Sequence, residues 1–263
     1  MAVQAVGIRS RRMSLLRDLT YELVVRDLKL RYRRTAVGLA WSFAFPLGQV
    51  LVFSFIFTVV LPTRVNRYSA FVSIGVLAWT WFQSALVAAA TSITGNRELV
   101  RRPGFAAAAL PVATVTTNLV LFLMAFPALL AIVLYTGGRP GPGVIVLPVV
   151  MLVQYLLTLG IAYFVASLNV SFRATQQMVT LLLLLAFFLT PVFYDPSNVP
   201  AAYQALFVLN PFVVVLDAYR TALLNGGLPN IEHLAIVGVG SAALVVIGHK
   251  VFVRASHRFA EEI

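Results

Sequence analysis

Residues 143–168 read GVIVLPVVMLVQYLLTLGIAYFVASL, with no charged side chain at any position. A helix of that length rises roughly 39 Å at about 1.5 Å per residue, more than the roughly 30 Å hydrocarbon core of a bilayer. Lipid offers a backbone no hydrogen-bond partner, so a stretch this apolar is stable there as a helix that satisfies itself. Outward from it, similar stretches run over 36–61, 70–94, 110–136, 177–194 and 231–253. Glu232, at the edge of the last, is the one acidic residue in any of them. The chain reads as an all-α membrane protein with six transmembrane helices.

The connections orient it. Sixteen of the 20 Lys and Arg residues fall before the first stretch, in the second and fourth gaps, or at and beyond the end of the last; Arg64, Arg67, Arg139 and Arg220 fall on the other side. Lys and Arg concentrate in cytoplasmic loops, so both termini are expected in the cytoplasm of a bacterial cell, with the protein in its inner membrane. The net charge of +11 is then topology plus attraction to anionic membrane lipids. Nucleic acid is not an expected partner, because no soluble domain remains to bind it. The division expected is a cytoplasmic tail and amphipathic interfacial helix over 1–35, then a six-span domain with a cytoplasmic tail over 36–263. A cleaved signal peptide is not expected, since the N-terminal region is charged and lacks an apolar core before a cleavage site.

Composition removes whole classes of chemistry. Without cysteine there is no thiolate metal site and no cysteine nucleophile. A P-loop needs Lys followed by Ser or Thr, but Lys29 precedes Leu30 and Lys250 precedes Val251. The chain is therefore not expected to bind ATP by that motif, and no catalytic or metal-ligating residue is assigned. His233, His249 and His257 lie near the ends of the sixth stretch or in the tail, as interfacial polar groups. Gly238-x-Gly240-x-x-Ala243 has no preceding strand, so it reads as small residues packing helices rather than as a nucleotide fingerprint. Asn169-Val170-Ser171 is a sequon on the expected cytoplasmic side.

Local patterns fill in the rest. Over 15–30, Leu15, Leu16, Leu19, Leu23 and Leu30 share one helical face, the pattern of an interfacial amphipathic helix. Arg26 breaks that stripe and needs to snorkel or to find an acidic partner. Pro46 is expected to bend or break the first span. Gln49, Phe53 and Phe57 follow at i, i+4 and i+8, along one line. In the second gap, Asn96 is placed to cap a short helix through Arg97, Glu98, Leu99, Val100, Arg101 and Arg102, ended by Pro103-Gly104. The apolar run 205–216 is too short to cross and is interrupted at Asn210-Pro211. It is expected to form a re-entrant helical hairpin on the external side, with Asp217 and Arg220 pairing at i, i+3.

Several of these segments carry a resemblance. They are R-D-L-K-L-R-Y-R-R-T-x-x-G-L-x-W (Arg26–Trp41), N-R-E-L-V-R-R-P-G-F followed by L-P (Asn96–Pro111), T-P-V-F-Y (Thr190–Tyr194), N-P-F (Asn210–Phe212) and A-Y-R-x-A-L-L-N-G (Ala218–Gly226). In this order on a six-span chain, they resemble the membrane subunit of ATP-binding-cassette exporters of polysaccharides, the O-antigen, teichoic acid and galactan group. The sequence departs from that group at Ala174, where an acidic residue often follows the arginine, and at R-P-G-F in the second gap.

The resemblance implies a homodimer bound to two copies of a separate nucleotide-binding ATPase, which holds the ATP and Mg; this chain would carry no cofactor. It implies a lipid-linked polysaccharide, a glycan on a polyprenyl diphosphate, as cargo. Residues 96–103 and the N-terminal helix would meet the ATPase. Arg31, Arg33 and Arg34 would receive the lipid diphosphate, for which the planar guanidinium is suited. Gln49, Phe53, Phe57, Phe187 and Phe188 would line the channel, since flat rings stack on sugar C–H surfaces. Tyr194, Asn210, Pro211, Asp217 and Arg220 would guard the outer exit. Two other readings stay open at this point: an exporter permease for a drug or lipid, and a stand-alone six-span channel or membrane enzyme.

Overall fold

A computed structural model describes residues 16–30, 36–62, 65–200, 203, 204, 207 and 209–262; for 36–43, Asn198, 260 and 261 it describes the backbone alone. Among these residues the secondary structure is helical throughout. Helix α1 covers 16–30 and α2 covers Ala36–Phe55, continued by a π-helical turn over Ile56–Val60. Then follow α3 (Tyr68–Ala90), α4 (Arg97–Val100), α5 (Ala109–Tyr135), α6 (Leu147–Ser171) and α7 (Thr175–Leu189). The last are α8 (Pro211–Arg220), with a second π-helical turn over Thr221–Asn225, and α9 (Ile231–Glu262).

Among the described residues, four segments are long and apolar enough to cross a membrane: Tyr68–Ala90, Ala109–Tyr135, Pro142–Ser171 and Ile231–Phe259. The first and fifth expected spans correspond to the shorter apolar helices Ala44–Val60 and Thr175–Leu189. The fifth is short because its helix stops at Leu189. Thr190 turns to an extended φ of −102° and ψ of 138°, so Thr190–Tyr194 leave the helix instead of completing it. Pro46 lies inside α2 without ending it, contrary to a break there. The Asn210-Pro211 interruption is a helix start: Asn210 accepts a hydrogen bond from Phe212 N at 3.0 Å and Pro211 takes the first turn, where its missing N–H costs nothing.

Helix α3 is central. In its membrane-length stretch 72% of residues are buried, against 17% in α9, so α9 turns most of its surface outward. The most extensive helix pairing is α6 with α9. It is built on glycine, although not at both positions that the small-residue motif suggested. A Cβ at Gly248 would lie 2.7 Å from Gly160 O, and one at Gly160 would lie 2.8 Å from Leu244 Cγ. Gly238 touches Val153 more loosely, and Gly240 faces open space. Close backbone approach of this kind is what holds helices together where lipid removes the hydrophobic drive.

Hydrogen bonds gather the connections at two ends of the bundle. At one end Arg26 donates to Asn96, and Ser171 Oγ donates to Glu262 Oε2 at 2.7 Å. At the other, Arg67 Nη1 donates to Leu224 O at 2.9 Å, and Tyr68 OH donates to Phe193 O at 2.7 Å. The 138–143 turn joins this second end by Arg139 N and Gly143 N, which donate to Leu224 O and Gly226 O. Gly226 sits at φ 67° with Arg139 O and Gly141 against its backbone, a place only glycine fills without strain.

Candidate functional site

At the first end, α1 departs from the stripe drawn from sequence. Leu23 and Val24 are buried, whereas Leu16 and Leu30 are exposed. Arg26 finds its acid in the next residue: Nε and Nη2 donate to Asp27 Oδ1 at 3.1 and 2.9 Å. The same Nη2 donates to Asn96 Oδ1 at 3.0 Å. Beside this contact, a cavity of about 340 Å³ is lined by Asp27, Ser92, Asn96, Thr114, Thr117 and Asn118 among others. Arg31, Arg33 and Arg34 lie outside the described residues.

Asn96 stands at the N-cap position of α4 but does not cap it with its side chain. Its Nδ2 donates back to Ser92 O at 2.9 Å while its oxygen takes Arg26. The helix is also shorter than expected. It spans Arg97–Val100, with Glu98 in its first turn, Arg101 as the C-cap residue and Arg102 beyond it. Arg97, Glu98, Arg101, Arg102 and Pro103 are exposed, while Leu99, Val100 and Phe105 pack against the core. The result is a charged surface held on an apolar footing, and Gly104 at φ 79° turns the chain away.

The aromatic residues singled out from sequence do come together. Phe53 stacks on Phe193 at 5.1 Å between ring centres and approaches Phe57 and Phe187 at 6.4 and 6.0 Å. Phe188 meets Phe187 edge-on at 5.4 Å. Phe193 is the hub that sequence reasoning missed, touching Phe53, Phe57, Phe187, Phe188 and Tyr194. Its place in T-P-V-F-Y, just past a Leu-rich helix, was the available signal. Exposure separates the members. Phe187 is 7% exposed, wedged also against Trp79, whereas Phe188 is 55% exposed and Gln49, Phe53 and Phe57 are half-buried.

The residues expected at the exit gather on the same extended segment. Asn210 Nδ2 donates to Thr190 Oγ1 at 2.9 Å, Arg220 Nη2 donates to Val192 O at 2.8 Å, and Tyr194 lies 6.2 Å from Phe207 ring to ring. The expected Asp217–Arg220 ion pair is not formed. Asp217 is exposed, whereas Arg220 points inward, 7% exposed, with its guanidinium carbon 3.5 Å from the Phe71 ring centre. An i, i+3 spacing puts two side chains on one helix face, but the buried carbonyl and the ring claim this one. Burial pushes the Arg220 guanidinium down to about 9, with Asp217, Asp195 and Tyr68 pulling it back up, so it is charged at neutral pH. Gly75 makes the arrangement possible: a Cβ there would run into Val192 O and come within 2.9 Å of Arg220 Nη2.

A bundle of membrane-length helices with its polar connections collected at two ends is a polytopic membrane protein. The sequence profile of the ABC-2 type transporter family matches residues 18–224, and the chain belongs to that family. It is similar along nearly its whole length to the O-antigen export system permease protein RfbA of Myxococcus xanthus, with 34% identity over 249 residues, 94% of this chain and 96% of that one. A protein of the same name from Klebsiella pneumoniae is 28% identical over 245 residues, 93% of this chain and 94% of its own.

Proposed function

We propose that this chain is the membrane subunit of an exporter that carries a lipid-linked polysaccharide of the O-antigen kind across the bacterial inner membrane. The end-to-end similarity to O-antigen export permeases carries this reading. The energy comes from ATP hydrolysis in a separate subunit, two copies of which bind a homodimer of this chain, with the exposed face of 96–103 as their seat. The chain itself performs no reaction. It supplies the path: the diphosphate head meets Arg31, Arg33 and Arg34, the glycan passes the aromatic group around Phe53 and Phe193, and the segment clasped by Asn210 and Arg220 guards the exit.

Six spans fit this reading, with the short α2 and α7 as the first and fifth and α8 as an external re-entrant element. Support comes from the hydrogen bonds at the two ends. The Arg26–Asn96 bond calls for an even number of crossings between those residues, which α2 and α3 supply. The Ser171–Glu262 bond calls for an even number between α6 and the end of α9, which α7 and α9 supply if α8 does not cross. Single cysteines introduced into this cysteine-free chain test it. Those at Arg97, Arg173 and Ser256 are expected to react with an impermeant maleimide only from the cytoplasm, and those at Arg67, Arg139 and Ser197, each exposed, only from outside. External labelling at Ser256 would contradict six spans.

Cargo contact divides the aromatic group. Phe188, Phe53 and Phe57 leave ring surface open, so Phe→Leu at each is expected to slow export about two- to tenfold per inserted molecule, by removing the flat face that a sugar stacks on. Phe187→Leu acts differently: it loosens packing, costs on the order of 1 kcal/mol and lowers the amount of protein inserted. Normal surface glycan per inserted molecule in all of the first three variants would assign these rings to helix packing.

A further inference from the structure

Arg26 and Asn96 are 70 residues apart in sequence and joined by a 3.0 Å hydrogen bond. We propose that they form a strut through which α1 and the 94–102 loop move as one body, so that ATPase motion reaching the loop is delivered to the interfacial helix. The strut rests on the proposal above that this loop seats the ATPase. Neither residue touches nucleotide or cargo; both are positioning residues.

Three features carry the inference. The first is aim. Asp27 Oδ1 takes both Nε and Nη2 of Arg26, which fixes the plane of the guanidinium and directs Nη2 at Asn96. The contact is charge-assisted and half-buried, with the Arg26 and Asp27 side chains 39% and 31% exposed.

The second is what Asn96 gives up. An asparagine at an N-cap position ordinarily accepts from the helix's own free N–H groups, yet this one makes no such bond. Both ends of its carboxamide are committed elsewhere, the nitrogen to Ser92 O and the oxygen to Arg26. That orientation leaves one sense of the amide compatible with both bonds.

The third is how little of α4 is built in: Leu99 and Val100 pack on the core, and Asn96 ties its start to α1. The helix has four residues and lies between Gly95, with no neighbour near its Cβ position, and Gly104 at φ 79°. The strut meets it at its N-cap residue, while α1 is itself seated on the core through Leu23 and Val24. Loop, strut and interfacial helix then form a closed frame.

The test uses the full chain with its partner ATPase in membrane vesicles, measuring ATP hydrolysed per glycan exported alongside inserted protein and thermal stability. Asn96→Leu removes the acceptor. Hydrolysis is expected to persist while export drops, so that the ratio rises about fivefold or more, the low end of coupling between distant sites. Arg26→Gln should give the same rise, and the pair together no more than either alone. Asn96→Asp keeps an acceptor in place and should hold the ratio within about twofold of the parent, a rescue that a purely structural role does not predict.

An unchanged ratio in Asn96→Leu, or a proportional fall of hydrolysis, export and inserted protein in both single variants, would overturn the strut. If Asn96→Leu fails to insert, Arg26→Gln decides by the same ratio. The docking proposal has its own sign of failure: the unaltered chain would bring down no ATPase, and the strut would fall with it. When the strut alone is wrong, the ATPase still associates with every variant.

Discussion

Reversing two exposed charges of the 96–103 loop, Glu98→Arg together with Arg102→Glu, is expected to cut export at least about tenfold while the protein inserts normally. Both side chains point outward and neither supports the core, so the folded chain has little to lose; surface substitutions of this kind change stability by roughly 0.5 kcal/mol or less. A docking surface has much to lose. Like charges brought together at an interface cost several kcal/mol, and about 1.4 kcal/mol is already a tenfold change in occupancy. Pull-down of the ATPase from solubilised membranes, beside surface glycan and the amount of inserted protein, checks the result. Normal ATPase recovery and normal export by the double variant would remove this loop from docking.

The second large effect is structural. Gly75→Val should unseat the end of the bundle where α3 meets the 190–194 segment, because a Cβ there collides with Val192 O and crowds Arg220 Nη2. Val192 O is backbone and accepts the Arg220 guanidinium, so relief means moving the chain rather than turning a side chain. Overpacking of this sort costs about 3 kcal/mol, on the order of a hundredfold in the folded-to-unfolded ratio. The loss should appear as a lower melting temperature in detergent and less inserted protein, with whatever remains exporting slowly. Gly240→Val, at a glycine facing open space, is the matched control and should be nearly silent. If Gly75→Val melts with the parent, the clasp between α3 and the 190–194 segment contributes little.

These residues also mark how far the sequence could be read. Helix class and the membrane setting follow from the apolar runs, because a bilayer leaves such runs one way to satisfy their backbone. Helix ends were harder. The 177–194 run is apolar throughout, yet its helix stops at Leu189 since Pro191 disfavours helical backbone at Thr190 and the Thr190 hydroxyl is taken by Asn210. Arg220 shows the second limit. From spacing alone Asp217 was the natural partner; the carbonyl and ring that it does meet come from residues 28 and 149 positions away. Asn96 was placed correctly at a helix start but given the wrong bond, because its competitor, Arg26, is 70 residues distant. Local chemistry is legible along the chain; which partner wins is settled by the packing of α3 among its neighbours.

On the proposed reading, a separate ATPase powers export of a lipid-linked glycan through this chain. Inverted inner-membrane vesicles test it directly, because their cytoplasmic leaflet faces the medium. Lipid-linked glycan reachable by an added glycosidase should become protected within the vesicle on addition of ATP, when this chain and its ATPase are both present. It should stay exposed when either is missing or ATP is withheld. Equal protection in vesicles lacking this chain would contradict the account.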